Sequence, residues 1–375
     1  METSRITGPQ LIVDRETCIS NIERMKEKVA GSNISFRPHF KTHQSITIGR
    51  WFREKGISRI TVSSIKMAYY FAGDGWKDIL VAIAYNPREY GLYEKLADKC
   101  KLCLTISCPE AAAILSKQCR VPIDVMIKVD TGYNRSGIVW NDKSGLRLII
   151  DNLMKNKNID IRGFMTHDGS TYAMNNPEQI MDEYKVSVNR LKSCRDNSGL
   201  DRAIISAGDT PSASIVDELG DIDEIRPGNF VFFDLMQYLI GSCSFNQIAT
   251  ALMAPVIDIR RSQGLLVVHA GAVHLSKDSI VIDNRPVYGM VADYDDSGWQ
   301  KPEVSTYITS LSQEHGIIKF NEPDRILKYK PGDLLAIIPV HSCLTADCMG
   351  RYMLDNGELI DHMSGIPQES VFSLL

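Results

Sequence analysis

The sequence lacks the features of several protein classes. It has no basic tract, and 42 Lys and Arg against 46 Asp and Glu give a net charge of −4. No apolar run approaches the ~20 residues of a membrane-spanning helix, and no secretion signal precedes the first charged residues. These absences argue against a nucleic-acid or membrane partner, and they predict a cytoplasmic protein that acts on a small molecule.

Glycine and proline are also limited, at 26 and 15 of 375 residues, which excludes collagen-like and low-complexity chains. The nine cysteines are an odd number spread along the chain, so a disulfide framework is not expected. Hydrophobic residues make up 44% and charged residues 23% of the sequence, as in soluble globular proteins. A chain of this length is long enough for two domains.

Short apolar runs alternate with helix-like segments in residues 1–245. This alternation is typical of β/α units around a parallel sheet. The eight runs are 34–40, 60–64, 78–84, 102–107, 121–129, 161–167, 203–206 and 224–231. Eight strands with intervening helices predict a (β/α)₈ barrel, in the α/β class.

The pattern of predicted secondary structure changes after residue 245. Short strand-like runs with turn residues between them replace the long helical segments, which predicts a mostly-β second domain over residues 246–375. A short strand at residues 9–14 is expected to join this second domain. Asp14 is placed to cap the helix that follows it.

The first candidate for chemistry is Lys41, which stands between His39 and His43 at the end of the first barrel strand. Active sites of such barrels lie on the loops that leave the C-terminal ends of the strands. Cationic neighbours and partial burial there would favour a neutral amine that acts as a Schiff-base nucleophile. A surface lysine at a helix entry is the alternative.

Polar and glycine residues follow the later strands as well. The loop after strand five would present Arg135 to an anionic oxygen, and strand six ends near His167 and Tyr172. Backbone N–H groups of the loops after strands seven and eight commonly bind phosphate in this fold, although an ordinary glycine turn would have the same composition. The residues of these two loops are Ser206, Gly208, Asp209, Thr210, Gly228 and Asn229.

His341 and Cys343 follow an apolar strand near the C-terminus. Residues i and i+2 of an extended backbone point to the same face, so this pair is a candidate for one metal ion. Imidazole and thiolate together favour zinc and leave coordination positions open. A histidine and a cysteine packed at a domain interface are the alternative.

Six segments, in the same order along the chain, resemble the D-serine dehydratase and D-threonine aldolase family, whose barrel is related to that of alanine racemases. The segments are 37–43, 129–137, 166–172, 226–229, 312–316 and 339–343. The family's phosphate loop has a serine where this chain has Asp209. Because a carboxylate repels a phosphate, the side chain of Asp209 is expected to point away, or the cradle to rely on backbone N–H groups and Thr210.

The resemblance implies a pyridoxal 5'-phosphate enzyme that carries its cofactor on Lys41, with Arg135 beside the phenolic oxygen. It implies that His39, His167 and Tyr172 line the site, with His167 a catalytic residue beside Lys41. It also implies zinc, or another divalent cation such as manganese, on His341 and Cys343, and a homodimer with shared active sites.

The activity implied is that of a lyase on D-β-hydroxy amino acids, with dehydration to a 2-oxo acid and ammonia as the main prediction. Retro-aldol cleavage, as in a D-threonine aldolase, is the nearest alternative. An amino-acid racemase and a non-catalytic carrier of pyridoxal phosphate are the others.

Overall fold

The structure is a computed structural model that describes residues 3–174, 176–295, 298–320 and 323–374. The strands are β1 Gln10–Val13, β2 Ser35–Phe36, β3 Ile60–Val62, β4 Asp78–Ala84, β5 Lys101–Ile106, β6 Ile123–Asp130, β7 Ile138–Val139, β8 Ile159–Met165, β9 Ile204–Ala207, β10 Glu224–Ile225, β11 Thr250–Arg260, β12 Leu265–His269, β13 Ile280–Ile282, β14 Arg285–Val287, β15 Gly289–Asp295, β16 Gly298–Gln300, β17 Thr306–Leu311, β18 His315–Lys319, β19 Leu334–Pro339, β20 Tyr352–Leu354 and β21 Leu359–Ile360.

The helices are α1 Arg15–Lys28, α2 Ile46–Glu54, α3 Ile65–Gly73, α4 Tyr90–Ala97, α5 Pro109–Gln118, α6 Lys143–Leu153, α7 Pro177–Asp196, α8 Thr210–Ile215, α9 Leu235–Leu239, α10 Ala272–Leu275, α11 Ser342–Met349 and α12 Gln368–Phe372. Within the described ranges, no helix is both long enough and apolar enough to cross a bilayer.

The chain divides into two compact units. The barrel unit comprises residues 23–228 and 366–374, and the β-rich unit comprises residues 3–22 and 229–365. The sequence-based division at residue 245 stays a prediction.

The barrel unit is built on eight parallel strands in the order β2-β10-β9-β8-β6-β5-β4-β3. A parallel bridge between His39 and Thr61 joins the first strand of this order to the last, which closes the sheet. Each of the eight predicted runs contains or overlaps one of these strands. The predicted (β/α)₈ class is confirmed.

Side chains at alternate positions of the strands form layers inside the barrel, because residues i and i+2 face the same side. The layer nearest the N-terminal ends of the strands is charged and contains Arg37, Asp78, Asp124 and Glu224. Above it, Leu80, Cys103, Met126 and Met165 form an apolar cluster. The third layer lies two residues further along the strands, where the cavity described below begins.

The first barrel loop is anchored by an aromatic cluster. Phe40 is fully buried, and its ring centroid lies 4.9 Å from those of Phe52 and Phe71 and 5.1 Å from that of Trp76. Burial of a phenylalanine side chain stabilises a fold by about 1.5–3 kcal/mol. The residue next to it, Lys41, is therefore attached to a rigid point.

The β-rich unit contains a closed antiparallel ring in the order β11-β12-β18-β17-β15-β19, and β11 pairs with both neighbours. β1 lies beside β11 in antiparallel register, with Leu11 opposite Leu252, and beside β20 in parallel register. Asp14 then begins α1, since its carboxylate accepts from the N–H of Thr17 at 2.9 Å.

Candidate active site

A cavity of about 340 Å³ opens at the C-terminal ends of the barrel strands. Five of the residues predicted for the cofactor site line it: His39, Lys41, Arg135, His167 and Gly208. Residues that the sequence analysis did not single out also line it: Ser63, Ala82, Ile83, Ala84, Lys128, Ser136, Met165 and Arg226. The signal for Lys128 was its position two residues after the interior Met126 on β6.

Backbone hydrogen bonds fix the segment that carries Lys41. The N–H of His39 donates to the carbonyl of Pro227 at 2.9 Å, and the N–H of Phe40 donates to that of Thr61 at 2.9 Å. The N–H of Lys41 donates to Nδ1 of His39 at 3.3 Å, so the proton of this neutral imidazole is on Nε2.

The cavity combines four cationic side chains with two imidazoles. Burial, and then the charge of Lys41, lower the pKa of His39 and of His167 well below the ordinary value. Burial, and then Arg135, lower the pKa of Lys128 to about 8. The two imidazoles are therefore neutral at pH 7, and the positive charge that remains suits an anionic ligand.

The loop after β6 presents Arg135. Asp130 holds this loop, since its Oδ1 accepts from the N–H groups of Gly132 at 2.9 Å and Asn134 at 3.0 Å. The guanidinium of Arg135 lies 5.2 Å from the ring centroid of Tyr133. A Cβ at Gly169 would lie 2.2 Å from that tyrosine ring, so any side chain at residue 169 would displace the ring of Tyr133.

A buried chain of polar side chains leads to Arg226. Nε of Arg37 donates to Glu224 Oε2 at 2.7 Å, and Ser206 Oγ donates to Glu224 Oε1 at 2.7 Å. Arg226 donates to Ser206 Oγ and to the carbonyl of Thr166. The hydroxyl of Ser206, predicted for the cofactor site, is thus engaged by Glu224 and Arg226.

The loop after β9 contains Gly208, Asp209 and Thr210. Gly208 has a φ of +108°, which favours glycine. The carboxylate of Asp209 accepts from the N–H of Ser212 at 2.9 Å and from Thr171 Oγ1 at 2.9 Å, so it caps α8. Burial raises the pKa of Asp209 to about 6. Asp209 is not among the residues that line the cavity.

The other predicted residues lie outside the cavity lining. The ring of Tyr172 lies 6.2 Å from that of His167, centroid to centroid. Thr210 is the buried first residue of α8, and Gly228 packs against the backbone of His39. The side chain of Asn229 belongs to the β-rich unit, where it donates to Asp234 at 2.7 Å.

In the β-rich unit, His341 and Cys343 lie together, but the predicted strand geometry is wrong. β19 ends at Pro339, His341 is the N-cap residue of α11, and Cys343 lies in the first turn of that helix. Burial lowers the pKa of His341, but the Cys343 thiolate and the hydrogen bond to Asp278 oppose this and raise it to about 11. A metal ion that binds such a pair replaces the proton of the imidazole, because a ligating histidine is neutral and a ligating cysteine is a thiolate.

Another group of metal-binding side chains lies in the same unit. His269, His274 and Glu314 have ligand atoms within 4.8 Å of one another. Nδ1 of His274 accepts from the N–H of Gly271 at 3.2 Å, so the proton of the neutral ring is on Nε2, the atom that lies 3.8 Å from Glu314. That nitrogen is not a free donor for a metal.

Two family matches cover most of the chain. Residues 13–235 match "Alanine racemase, N-terminal domain", and residues 249–354 match "Putative serine dehydratase domain". The chain is 29% identical over 348 residues to a D-threo-3-hydroxyaspartate dehydratase of Delftia sp. (strain HT23), covering 90% of this chain and 91% of that one. It is 28% identical to a D-serine dehydratase of Dictyostelium discoideum, with 95% of each chain covered.

The fold agrees with these matches. The solved structure of the Delftia dehydratase has a TM-score of 0.86 at 28% identity, with 95% of this chain and 97% of that one covered. Solved structures of a D-threo-3-hydroxyaspartate dehydratase also include a histidine-to-alanine mutant and a cysteine-to-alanine mutant, at positions two apart, the latter in the metal-free form. More distant relatives are named 3-hydroxy-D-aspartate aldolase and D-threonine aldolase. The chain therefore belongs to the family of pyridoxal-phosphate lyases in which an alanine racemase N-terminal domain is joined to a serine dehydratase domain.

Proposed function

We propose that the chain is a metal-dependent dehydratase of D-3-hydroxy amino acids. The net reaction eliminates water across Cα and Cβ, and the resulting enamine hydrolyses to a 2-oxo acid and ammonia. The observation that carries this proposal is the pairing of His341 with Cys343 beside Asp278. Imidazole and thiolate form a soft donor pair that prefers zinc.

The barrel cavity fits pyridoxal phosphate. It holds an amine, that of Lys41, together with neutral imidazoles and several cations, and a phosphorylated pyridine aldehyde carries an anionic phosphate and an anionic phenolate. Bound there, the cofactor supplies an electron-withdrawing ring that acidifies the Cα–H bond of an attached amino acid. Lys41 is the residue proposed to bind it covalently.

The chain's own residues then have distinct roles. Lys41 would hold the cofactor, and its amine would be the base that accepts the proton from Cα of the substrate. Arg135 and Arg226 neutralise anionic oxygens, and the neutral imidazoles of His39 and His167 provide polar contacts without added charge. Gly208 and Thr210 would hold the phosphate through backbone N–H groups.

His341 and Cys343 would hold the metal, most simply zinc. A Lewis acid assists departure of the β-hydroxyl, since free hydroxide is a poor leaving group near neutral pH. The mutants of D-threo-3-hydroxyaspartate dehydratase support this proposal, because the replaced histidine and cysteine have the same spacing as His341 and Cys343.

A panel of D-amino acids with product identification tests the proposal. With D-threonine, dehydration yields 2-oxobutanoate and ammonia, which is the expected result. Glycine and acetaldehyde without ammonia would identify an aldolase, the alternative that the aldolase relatives favour. Appearance of L-allo-threonine alone, the product of inversion at Cα, would identify a racemase. Alanine racemases share the fold with this chain at only 16% identity.

A homodimer and a cytoplasmic location are part of the same proposal. The dimer is tested by light scattering of the purified chain, for which a mass near twice 42.0 kDa is expected. A mass near 42.0 kDa at micromolar concentration would contradict it.

A further inference from the structure

The two proposed metal ligands each have a polar neighbour that comes from outside α11. Asp278 Oδ2 lies 2.9 Å from Nδ1 of His341. Nδ2 of Asn229 lies 3.5 Å from Sγ of Cys343. Neither Asp278 nor Asn229 was predicted to act on a metal, and both come from segments remote from α11 in sequence.

Asp278 decides which imidazole nitrogen is available. A carboxylate only accepts hydrogen bonds, so the proton of a neutral His341 ring is held on Nδ1, and Nε2 keeps its lone pair. A carboxylate behind a metal-binding histidine also fixes the ring plane and makes the other nitrogen more basic. Asp278 is 32% exposed and His341 28% exposed, so the contact is partly shielded from water.

Asn229 acts on the sulfur. Its side chain is 5% exposed, and its amide also donates to Asp234 Oδ2 at 2.7 Å and to Ser342 Oγ at 3.1 Å. An N–H group directed at a thiolate stabilises the negative charge that a metal ligand must carry. Because the amide is held by several partners, it keeps its orientation towards Cys343.

Asp234 fixes the peptide between the two ligands. Its Oδ2 accepts from the N–H of Ser342 at 3.0 Å, and its Oδ1 accepts from the N–H of Gln237 at 2.9 Å, which caps α9. Asp234 is 1% exposed. The start of α11 is therefore tied to the start of α9 at the residue that separates His341 from Cys343.

We propose that Asp278 and Asn229 are positioning residues of the metal centre: Asp278 orients the His341 imidazole, and Asn229 orients and stabilises the Cys343 thiolate. This inference depends on the proposed function, since it assumes that His341 and Cys343 bind the metal. Loss of such outer partners commonly weakens metal binding by about 10–100-fold.

The test measures metal affinity directly. The purified chain is stripped with a chelator and titrated with Zn²⁺ against a chromophoric chelator. Co²⁺ substitution reports sulfur ligation by its thiolate charge-transfer absorption. D278A is expected to lose about 10–100-fold in Zn²⁺ affinity, with D278N between D278A and wild type because an amide oxygen still accepts from Nδ1. N229A is expected to weaken Zn²⁺ binding and to shift the Co²⁺ band.

D258A is the matched control, because Asp258 is an exposed carboxylate of the same unit whose ion pair, within the part of the chain that the structure describes, is with Arg260. It is expected to match wild type. If C343A keeps its metal and its Co²⁺ band, Cys343 is not a metal ligand, and the proposed metal-dependent function is contradicted. If C343A loses both while D278A binds Zn²⁺ as tightly as wild type, the positioning role is overturned and the proposed ligands stand. Should N229A not fold, the comparison of D278A with D278N decides the proposal.

Discussion

Gly228 is in direct contact with His39: a Cβ on Gly228 would lie 2.7 Å from the carbonyl oxygen of His39 and 3.0 Å from its Cβ. Real Cβ atoms do not approach backbone this closely, so the segment that carries Lys41 must move if residue 228 has a side chain. We expect G228A to weaken cofactor binding and to destabilise the fold by about 1–3 kcal/mol.

The measurement is the dissociation constant of pyridoxal phosphate from its visible absorption, together with the thermal transition. G91A is the control, because a Cβ at Gly91 meets nothing within 4 Å. Wild-type cofactor affinity in G228A would show that the contact does not position Lys41.

Lys41 is predicted to form the covalent bond to the cofactor. Borohydride reduction and peptide mapping should place the label on Lys41 and on no other lysine. The natural rival is Lys128, which lines the same cavity and has a pKa lowered to about 8 by burial and by Arg135. K41A should lose the label and K128A should keep it; a label on Lys128 in the wild-type protein would refute the assignment.

Asp209 is predicted to make stability depend on pH. Burial raises its pKa in the folded state to about 6, above the ordinary value of 3.8. A raised pKa means that the folded state binds the proton more tightly, so this contribution is fully present below about pH 4 and is lost as the pH rises through about 6. The shift of about two units corresponds to about 3 kcal/mol at most.

D209N should remove this dependence and still cap α8, because asparagine is also a good N-cap residue. Denaturant unfolding of both proteins between pH 4 and pH 7.5 measures it. We expect the stability of D209N relative to wild type to rise across that range; a constant difference would contradict the assignment.

Ser206 is predicted to act on stability through Glu224 and Arg226. Its hydroxyl donates to Glu224 and accepts from Arg226 inside the barrel, so S206A leaves buried charged groups with one partner fewer. The expected loss is about 1–3 kcal/mol of unfolding free energy. S214A is the control, since Ser214 Oγ is buried and makes no hydrogen bond within the described residues. Equal losses in the two variants would contradict the prediction.

The barrel was predictable because its strands obey local rules. Short apolar runs between helix-like segments located all eight strands, and position at strand ends placed His39, Lys41, Arg135 and His167 in one cavity. These are properties of short segments, and short segments carry most of the secondary-structure signal.

The metal pair shows where local rules fail. An extended backbone was predicted through Cys343, but Asp234, more than a hundred residues earlier, accepts from the N–H of Ser342 and starts a helix there. The neighbours are also remote in sequence, since Asp278 lies 63 residues before His341 and Asn229 lies 114 residues before Cys343. Contacts of this kind form only when the chain has folded, so the spacing of residues within one segment does not predict them.

On β6, the layering of the barrel separates the charged residues from the residue that faces the cavity. Asp124 belongs to the charged layer, Met126 to the apolar cluster and Lys128 to the cavity, each two residues apart. A substitution of Lys128 therefore alters the ligands that the cavity accepts without removing the ion pairs of Asp124 with Lys101 and Arg162. At this strand, a single replacement changes the surface offered to a substrate while the charged layer is kept, since the two belong to different residues.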